Sequence, residues 1–428
     1  MDHYGNSVYL IENLCKGCTN CINRCPTQAI RVRNNKAVIT PGRCVDCGEC
    51  IRICPHHAKK AKRDFIDATD KYKYTVALPA PSLCAQFNNL EDINILLSAI
   101  KSIGFDDVFE VSAAAEIVSE ESRKYIAAHK DKWPLISTAC PTVVRLVQVR
   151  FPNLCDNLLP LITPAELAGE LARKQAVEKT GFKPEEIGIF FLSPCASKVT
   201  SVKNPIGMEK SNIDEVLAIK DIYPILLAEL PKFVEQPEDL SRSGKIGLSW
   251  GITGGEVGGL LSDACVAADG IENVIHVLED LEDDKFSQNL EFIELNACNG
   301  GCVGGVMNVE NPFAAKAKMQ HLRKYLPVAA ARSDKYGEYH VDWTSEVKYQ
   351  PVFELADNLK ESMEKMNRIE ELTKELPGLD CGCCGAPTCK AHAEDIVKGI
   401  ARKQDCIHVL REYIHKLSED IAELSEGI

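Results

Sequence analysis

Residues 292–305, FIELNACNGGCVGG, carry a short apolar run into Cys298 and then into a glycine-rich turn bearing Cys302. The same layout recurs twice: PLISTAC (134–140) delivers Cys140 and IGIFFLSPC (187–195) delivers Cys195. With YTVALPA (74–80), DVFEVS (107–112) and KIGLSW (245–250), these β-like runs alternate with helical stretches. That alternation specifies an α/β domain with helices on the faces of largely parallel sheets. Ligands bind at the carboxyl ends of such strands, so four cysteines from three strands are expected to converge on one buried cofactor. Gly300, Gly301, Gly304 and Gly305 would let backbone approach it closely.

The chain has 428 residues, 49 Lys+Arg and 62 Asp+Glu, and its net charge of −13 argues against coating nucleic acid or an anionic membrane. No apolar run approaches the roughly 18 residues that a membrane span needs. The first residues, MDHYGNSVYLIENLC, lack a basic stretch followed by an apolar core, so a reducing, cytoplasmic setting is expected. In that setting the 20 cysteines are expected to hold metal and not to form disulfides.

Cys15, Cys18, Cys21 and Cys25 precede Pro26, and Cys44, Cys47, Cys50 and Cys54 precede Pro55, the same spacing repeated 29 residues on. Three close cysteines wrap one cubane while the fourth, held off by the proline turn, reaches the other. Cys15, Cys18, Cys21 and Cys54 are therefore assigned to one [4Fe-4S] cluster, and Cys25, Cys44, Cys47 and Cys50 to a second. Between the runs, AIRVRNNKAVIT reads as strand, turn and strand, with Asn34-Asn35 suited to a hairpin. This part resembles a bacterial two-cluster ferredoxin over roughly residues 5–65. Residues 1–70 hold 11 Lys+Arg and 7 Asp+Glu, a local excess of +4 that would favour an acidic redox partner.

STACPTVV (137–144), LSPCASK (192–198) and ELNACNGGCVGG (294–305) resemble the three cluster-binding motifs of [FeFe]-hydrogenases. ALPAPS (77–82) and GFDDVFEVSAAAEIVSEE (104–121) resemble that family too. The resemblance implies an H-cluster, a [4Fe-4S] cubane joined through a cysteine sulfur to a two-iron unit bearing CO, cyanide and azadithiolate. By motif, Cys140, Cys195 and Cys298 would ligate the cubane and Cys302 would bridge to the diiron unit. Lys198 matches the lysine that donates to a cyanide, and Ser82 matches a loop packed on the other side of the diiron unit.

The pattern departs from strongly catalytic members at informative places. Ala139 stands where they have a proton-relaying cysteine, and a methyl group cannot titrate. Ser201 stands where a glutamate would continue the relay, and Ser193 and Asn296 replace two methionines that contact the diiron unit. A positioned proton-transfer group is commonly worth ~10^2 to 10^4 in rate, so an intact cluster that turns over slowly is expected. These substitutions resemble the sensory branch of the family, which detects H2. The alternatives are a fully catalytic, ferredoxin-linked hydrogenase and a cubane-only iron-sulfur assembly or electron-transfer protein.

LPGLDCGCCGAPTCKAHAEDIVKGIARKQDC (376–406) resembles the four-cysteine [4Fe-4S] domain of corrinoid iron-sulfur proteins. That resemblance implies Cys381, Cys384, Cys389 and Cys406 as ligands of a third accessory cluster, with Cys383 a spectator. Cys84, Cys155 and Cys265 are also left over, and all four, Cys383 included, are expected to be buried and unreactive. Ile407, Leu410, Ile414, Leu417, Ile421, Leu424 and Ile428 alternate steps of three and four, the seam of a coiled coil. A homodimer through this helix is expected, the alternative being a single amphipathic helix packed on its own domain; the resemblance to the sensory branch implies continuation into a PAS signalling module, to which the third cluster would report. The expected division is 1–72 ferredoxin-like, 73–370 H-cluster α/β domain, 371–406 C-terminal [4Fe-4S] domain and 407–428 coiled-coil helix, α+β overall. H2, protons and a ferredoxin or other redox protein are the expected partners, with no nucleic acid and no membrane.

Overall fold

The computed structural model describes residues 5–286 and 289–426, so Ile428 of the seam lies outside the described residues. By internal contact the chain forms two units that interleave in sequence. One comprises residues up to Val8, Val45–Gly48 and Ala61–Gln350; the other comprises Tyr9–Cys44, Glu49–Lys60 and the chain from Pro351 onward.

The ferredoxin-like segment carries strands β1 (Val8–Leu10), β2 (Ile30–Arg33), β3 (Lys36–Ile39) and β4 (Lys59–Ala61). β1 pairs with β4, and β2 with β3 in antiparallel register from Ile30 opposite Ile39 to Arg33 opposite Lys36. Asn34 and Asn35 both have positive φ, the geometry that a two-residue hairpin turn requires, as the sequence indicates. Short helices Asn20–Asn23 and Glu49–Arg52 lie within the two cysteine runs in matching positions, each carrying the third cysteine, Cys21 or Cys50. In the same unit, helices Leu359–Glu375 and Cys389–Val397 pack through Ile369, Leu372, Leu376 and Ala393, and Cys406 closes that core. The helix Ile407–Glu426 follows directly, with its seam residues Ile407, Leu410, Ile414, Leu417, Ile421 and Leu424 exposed.

The larger unit contains two parallel sheets built from β5 (Tyr74–Pro79), β6 (Asp107–Val108), β7 (Leu135–Ile136), β8 (Ile187–Ser193), β9 (Glu215–Ala218), β10 (Cys265–Asp269) and β11 (Phe292–Asn296). Their orders are β6-β5-β8-β9 and β10-β11-β7. Every residue of β8 is buried, as expected of a central strand covered on both faces. Phe190 on β8 meets Tyr72 and Phe105 edge-on, with centroids 5.6 and 5.5 Å away.

Three local expectations are corrected. KIGLSW is a helix, Lys245–Ser249, where Gly247 lets it press on helix Val111–Ala128; a Cβ there would lie 2.0 Å from the Ser112 carbonyl. Periodicity does not separate a short buried strand from a short buried helix. DVFEVS gives only Asp107–Val108 before Val111 starts the helix Val111–Ala128, whose residues 111–119 are all buried. Strands β9 and β10, absent from the sequence reading, carry glutamate, cysteine and alanine, a weak β signature.

Candidate functional site: a cysteine-lined cavity

The two sheets aim their carboxyl ends at one region. Cys195 follows β8 and caps helix Ala196–Lys203, while Cys140 follows β7 and caps helix Pro141–Arg150. Helix N-termini carry partial positive charge, which favours thiolate. Cys298 and Cys302 follow β11. Cys195 feels the charges of Cys298, Cys302 and Cys140 together, so all four side chains are gathered in one place. The glycines of this loop serve the protein's own packing: a Cβ on Gly304 would lie 2.1 Å from the Asn299 carbonyl, and one on Gly305 2.2 Å from that of Pro194.

Beside Cys302 lies a cavity of about 570 Å³ walled mainly by Ala80, Pro81, Ala115, Ala139, Phe191 and Trp250. Its titratable lining residues are Lys198, Cys302, Glu256 and Glu294. The Lys198 Nζ donates to the Ala139 carbonyl at 3.0 Å. Burial pushes the Cys195 and Cys302 thiols up while Lys198 works the other way. Four cysteines facing one lysine lack the positive charge that would keep them ionised, and a bound metal would supply it. Ser82 is fully buried beside this wall, and among the described residues its Oγ has no hydrogen-bond partner. A buried hydroxyl without a partner is costly, so this orphan fits a group that belongs in the cavity. Ser193 accepts from the Cys195 N–H at 3.3 Å, and Asn296 lines the cavity while donating to Glu294 at 2.8 Å.

Ser201 does not line this cavity. It borders a separate one of about 340 Å³ with Thr138 and Glu166, whose buried carboxyl is pushed up by burial despite hydrogen bonds from Ser211 and the Asn212 N–H. Sequence reasoning missed Glu256 and Glu294. Burial and the charge of Glu294 push Glu256 up to about 8, against a 2.5 Å hydrogen bond from Ser137. Burial also raises Glu294, although the N–H groups of Gly254 and Val257 and the Asn296 amide donate to it. The available signal was a glutamate inside each of two otherwise apolar segments, GGEVGG and FIELN. Asp46 was missed too: it accepts from the Ser7 and Val8 N–H groups and from Thr200, tying the loop that carries Cys47 to the Cys195 helix.

In the other unit, the Ala29 N–H donates to Cys25 Sγ at 3.2 Å and the Ala58 N–H to Cys54 Sγ at 3.4 Å, equivalent bonds in the two repeats. Burial raises Cys21, opposed by the buried Lys59 beside it. For Cys15 burial is outweighed by the N–H groups of Gly17 and Ala37 and by Lys59 and Lys36, and the thiol is held low. Cys18 is exposed, Cys50 is buried, and Cys44 and Cys47 are half-buried. At the C-terminus, Cys381, Cys384, Cys389 and Cys406 line a cavity of about 310 Å³ together with Cys383 and His392. His392 is almost fully buried beside them, and burial holds its imidazole below the ordinary range. Among the described residues no three His, Cys, Asp or Glu side chains surround one ion position; Cys302 and the C-terminal cysteines border cavities instead. Of the leftover cysteines only Cys84 is buried, its thiol pushed up to about 12 by burial; Cys155 and Cys265 are half-buried and Cys383 is exposed, which corrects the expectation for those three.

A family model described as the iron only hydrogenase large subunit, C-terminal domain, matches residues 73–265 and 256–306. A 4Fe-4S dicluster domain model matches residues 7–55, and a model described as an Fe-S cluster matches 376–408. Iron hydrogenase 1 of Clostridium pasteurianum is 22% identical over 285 residues, 54% of this chain and 50% of that protein. The periplasmic [Fe] hydrogenase large subunit of Nitratidesulfovibrio vulgaris is 25% identical over 363 residues, covering 70% of this chain and 85% of that one. A variant of the [FeFe]-hydrogenase HydA1 from Chlamydomonas reinhardtii superposes with a TM-score of 0.43 at 15% identity, over 64% of this chain and 87% of its own. The chain spans about half the length of the clostridial protein. Among the described residues no helix is long and apolar enough to cross a membrane.

Proposed function

Because this chain belongs to the [FeFe]-hydrogenase family, we propose that it binds H2 at an H-cluster held by Cys140, Cys195, Cys298 and Cys302, turns over slowly and serves as an H2 or redox sensor. The H-cluster, when bound, supplies the open iron and the amine base for 2H+ + 2e− ⇌ H2. The protein's part is to seat it, keep water out and move protons and electrons. Lys198 and Ser82 would hold the diiron unit, with Lys198 already anchored at the Ala139 carbonyl.

The observation that carries this reading is the cavity wall. Ala139 offers no proton, and the remaining titratable groups on the wall apart from Lys198 and Cys302 are Glu256 and Glu294. A carboxyl pushed up to about 8 holds a proton at neutral pH, and Ser137, two residues before Ala139, is hydrogen-bonded to it. Proton supply through a buried carboxyl pair supports slow exchange in place of a relay cysteine. The second reading, a fully catalytic ferredoxin-linked hydrogenase, requires the same pair to move protons as fast as a relay thiol would. The reading further includes three accessory [4Fe-4S] clusters, a cytoplasmic setting and a homodimer through the exposed seam of helix Ile407–Glu426.

The test is infrared spectroscopy on anaerobically matured protein under argon and then under H2, followed by measured turnover. Shifting CO and cyanide bands with slow turnover meet the expectation. Shifting bands with vigorous turnover select the catalytic reading. No bands, beside a matured control hydrogenase that shows them, leave the cubane-only reading.

A further inference from the structure

The C-terminal four-cysteine module shares a compact unit with the ferredoxin-like hairpin, and the contacts between them are specific. The Val32 N–H on β2 donates to the Gly385 carbonyl at 2.8 Å, and Arg33 Nη1 donates to the Cys384 carbonyl at 3.1 Å. A Cβ on Gly385 would lie 2.0 Å from the Val32 carbonyl, so the cysteine loop closes on β2 with no room for a side chain. A Cβ on Gly382 would meet Asn23 Oδ1 at 2.9 Å and Ile22 at 3.2 Å, two residues that lie between Cys21 and Cys25. The helix that begins at Cys389 presents Asp395, 5% exposed, to both Arg31 and Arg33. It also presents Glu394 to Arg43 at 2.6 Å, next to Cys44.

Burying ion pairs is costly and is recovered only when geometry is maintained, so this clamp holds the two cysteine-bearing segments in one arrangement. It also absorbs Arg31, Arg33 and Arg43, three of the charges that made residues 1–70 basic. The resulting proximity has a redox consequence, because electron transfer weakens steeply with separation. We propose that the clamp makes the C-terminal module an electron-transfer station of the ferredoxin-like pair, so that its redox state follows theirs.

The step moves one electron between two cubanes: the donor cluster is oxidised by one electron and the acceptor reduced by one, with no bond broken and no proton required. The inference rests on the reading that both cysteine sets hold [4Fe-4S] clusters, and the test separates the two. Protein made without the diiron unit is reduced chemically and examined by iron analysis and electron paramagnetic resonance, as wild type, Cys389→Ser and Arg31→Ala/Arg33→Ala. The expected wild-type spectrum shows spin–spin splitting beyond that within the ferredoxin-like pair, and this additional splitting is lost in Cys389→Ser, together with about four irons. In the arginine double variant the splitting is lost or weakened at unchanged iron content. A wild-type spectrum equal to that of Cys389→Ser plus an isolated cluster signal overturns the station. Splitting unchanged in the double variant overturns the clamp. Equal iron in wild type and Cys389→Ser overturns the cluster reading of the module, and the station with it.

Discussion

Glu256 lines the cavity beside Cys302 with its carboxyl buried and close to the charge of Glu294. Its carboxyl goes from an ordinary 4.5 to about 8 in the folded chain, so the fold favours its protonated form. The stabilising contribution of such a group is fully present below the unfolded value and is lost as pH rises through the folded one. The melting temperature should therefore fall between pH 4.5 and about 8, and Glu256→Gln should flatten that decline. An unchanged slope in thermal unfolding of the variant would remove Glu256 as its source. The same substitution should lower H2 turnover by ~10^2 or more while leaving the infrared bands in place, because proton supply and not cluster binding is lost. Ala139→Cys places a titratable thiol on the cavity wall, yet Ser201 borders a different cavity. Turnover should rise by less than ~10-fold; a gain of ~10^2 or more would reveal a complete path beyond residue 139.

Two elements carry expectations of their own. Helix Cys389–Val397 is held on the hairpin by Asp395, with Arg31 and Arg33 mostly buried against it. Asp395→Ala strands two guanidiniums and should cost about 3 kcal/mol, the low end for a broken buried pair because Arg33 keeps some solvent contact. Chemical denaturation checks this, and a loss near zero would mean that water replaces the carboxylate. The helix Ile407–Glu426 leaves Ile414 and Ile421 57% and 65% exposed, so its apolar stripe has no intramolecular cover among the described residues. Ile414→Glu/Ile421→Glu should convert a dimer to a monomer in analytical ultracentrifugation. A wild-type chain that is already monomeric would dismiss the seam as an interface.

At the scale of the whole molecule, the count of irons reports which sites are filled. Four cubanes hold about 16 irons per chain and the diiron unit raises this to about 18, so matured and unmatured protein should differ by about two. A matured sample stalled near 16 with active maturases would mean that the cavity beside Cys302 rejects the diiron unit. The interleaved units bear on the same measurement. Residues 9–60, apart from 45–48, fold with the C-terminal segment, so cutting the chain near 370 should also destabilise the ferredoxin-like part. Loss of accessory-cluster signals in that truncated protein is the expected result.

The cysteine spacings, the Asn34-Asn35 hairpin and the apolar strands β5, β8 and β11 were legible in sequence because each depends on local chemistry: ligand reach, positive φ and burial of a continuous run. The family followed from motifs of the same local kind. Beyond local reach lay the Glu256–Glu294 pair, the placement of Ser201 on another cavity and the seating of Asp395 against Arg31 and Arg33. Those pairings join residues 38 to more than 360 positions apart. A glutamate in an apolar segment reads alike whether it is solvated or buried, and only packing decides which. Sequence determined the cysteine motifs and the family they mark, and tertiary structure decided which charges share an interior, because desolvation and charge proximity belong to the assembled fold.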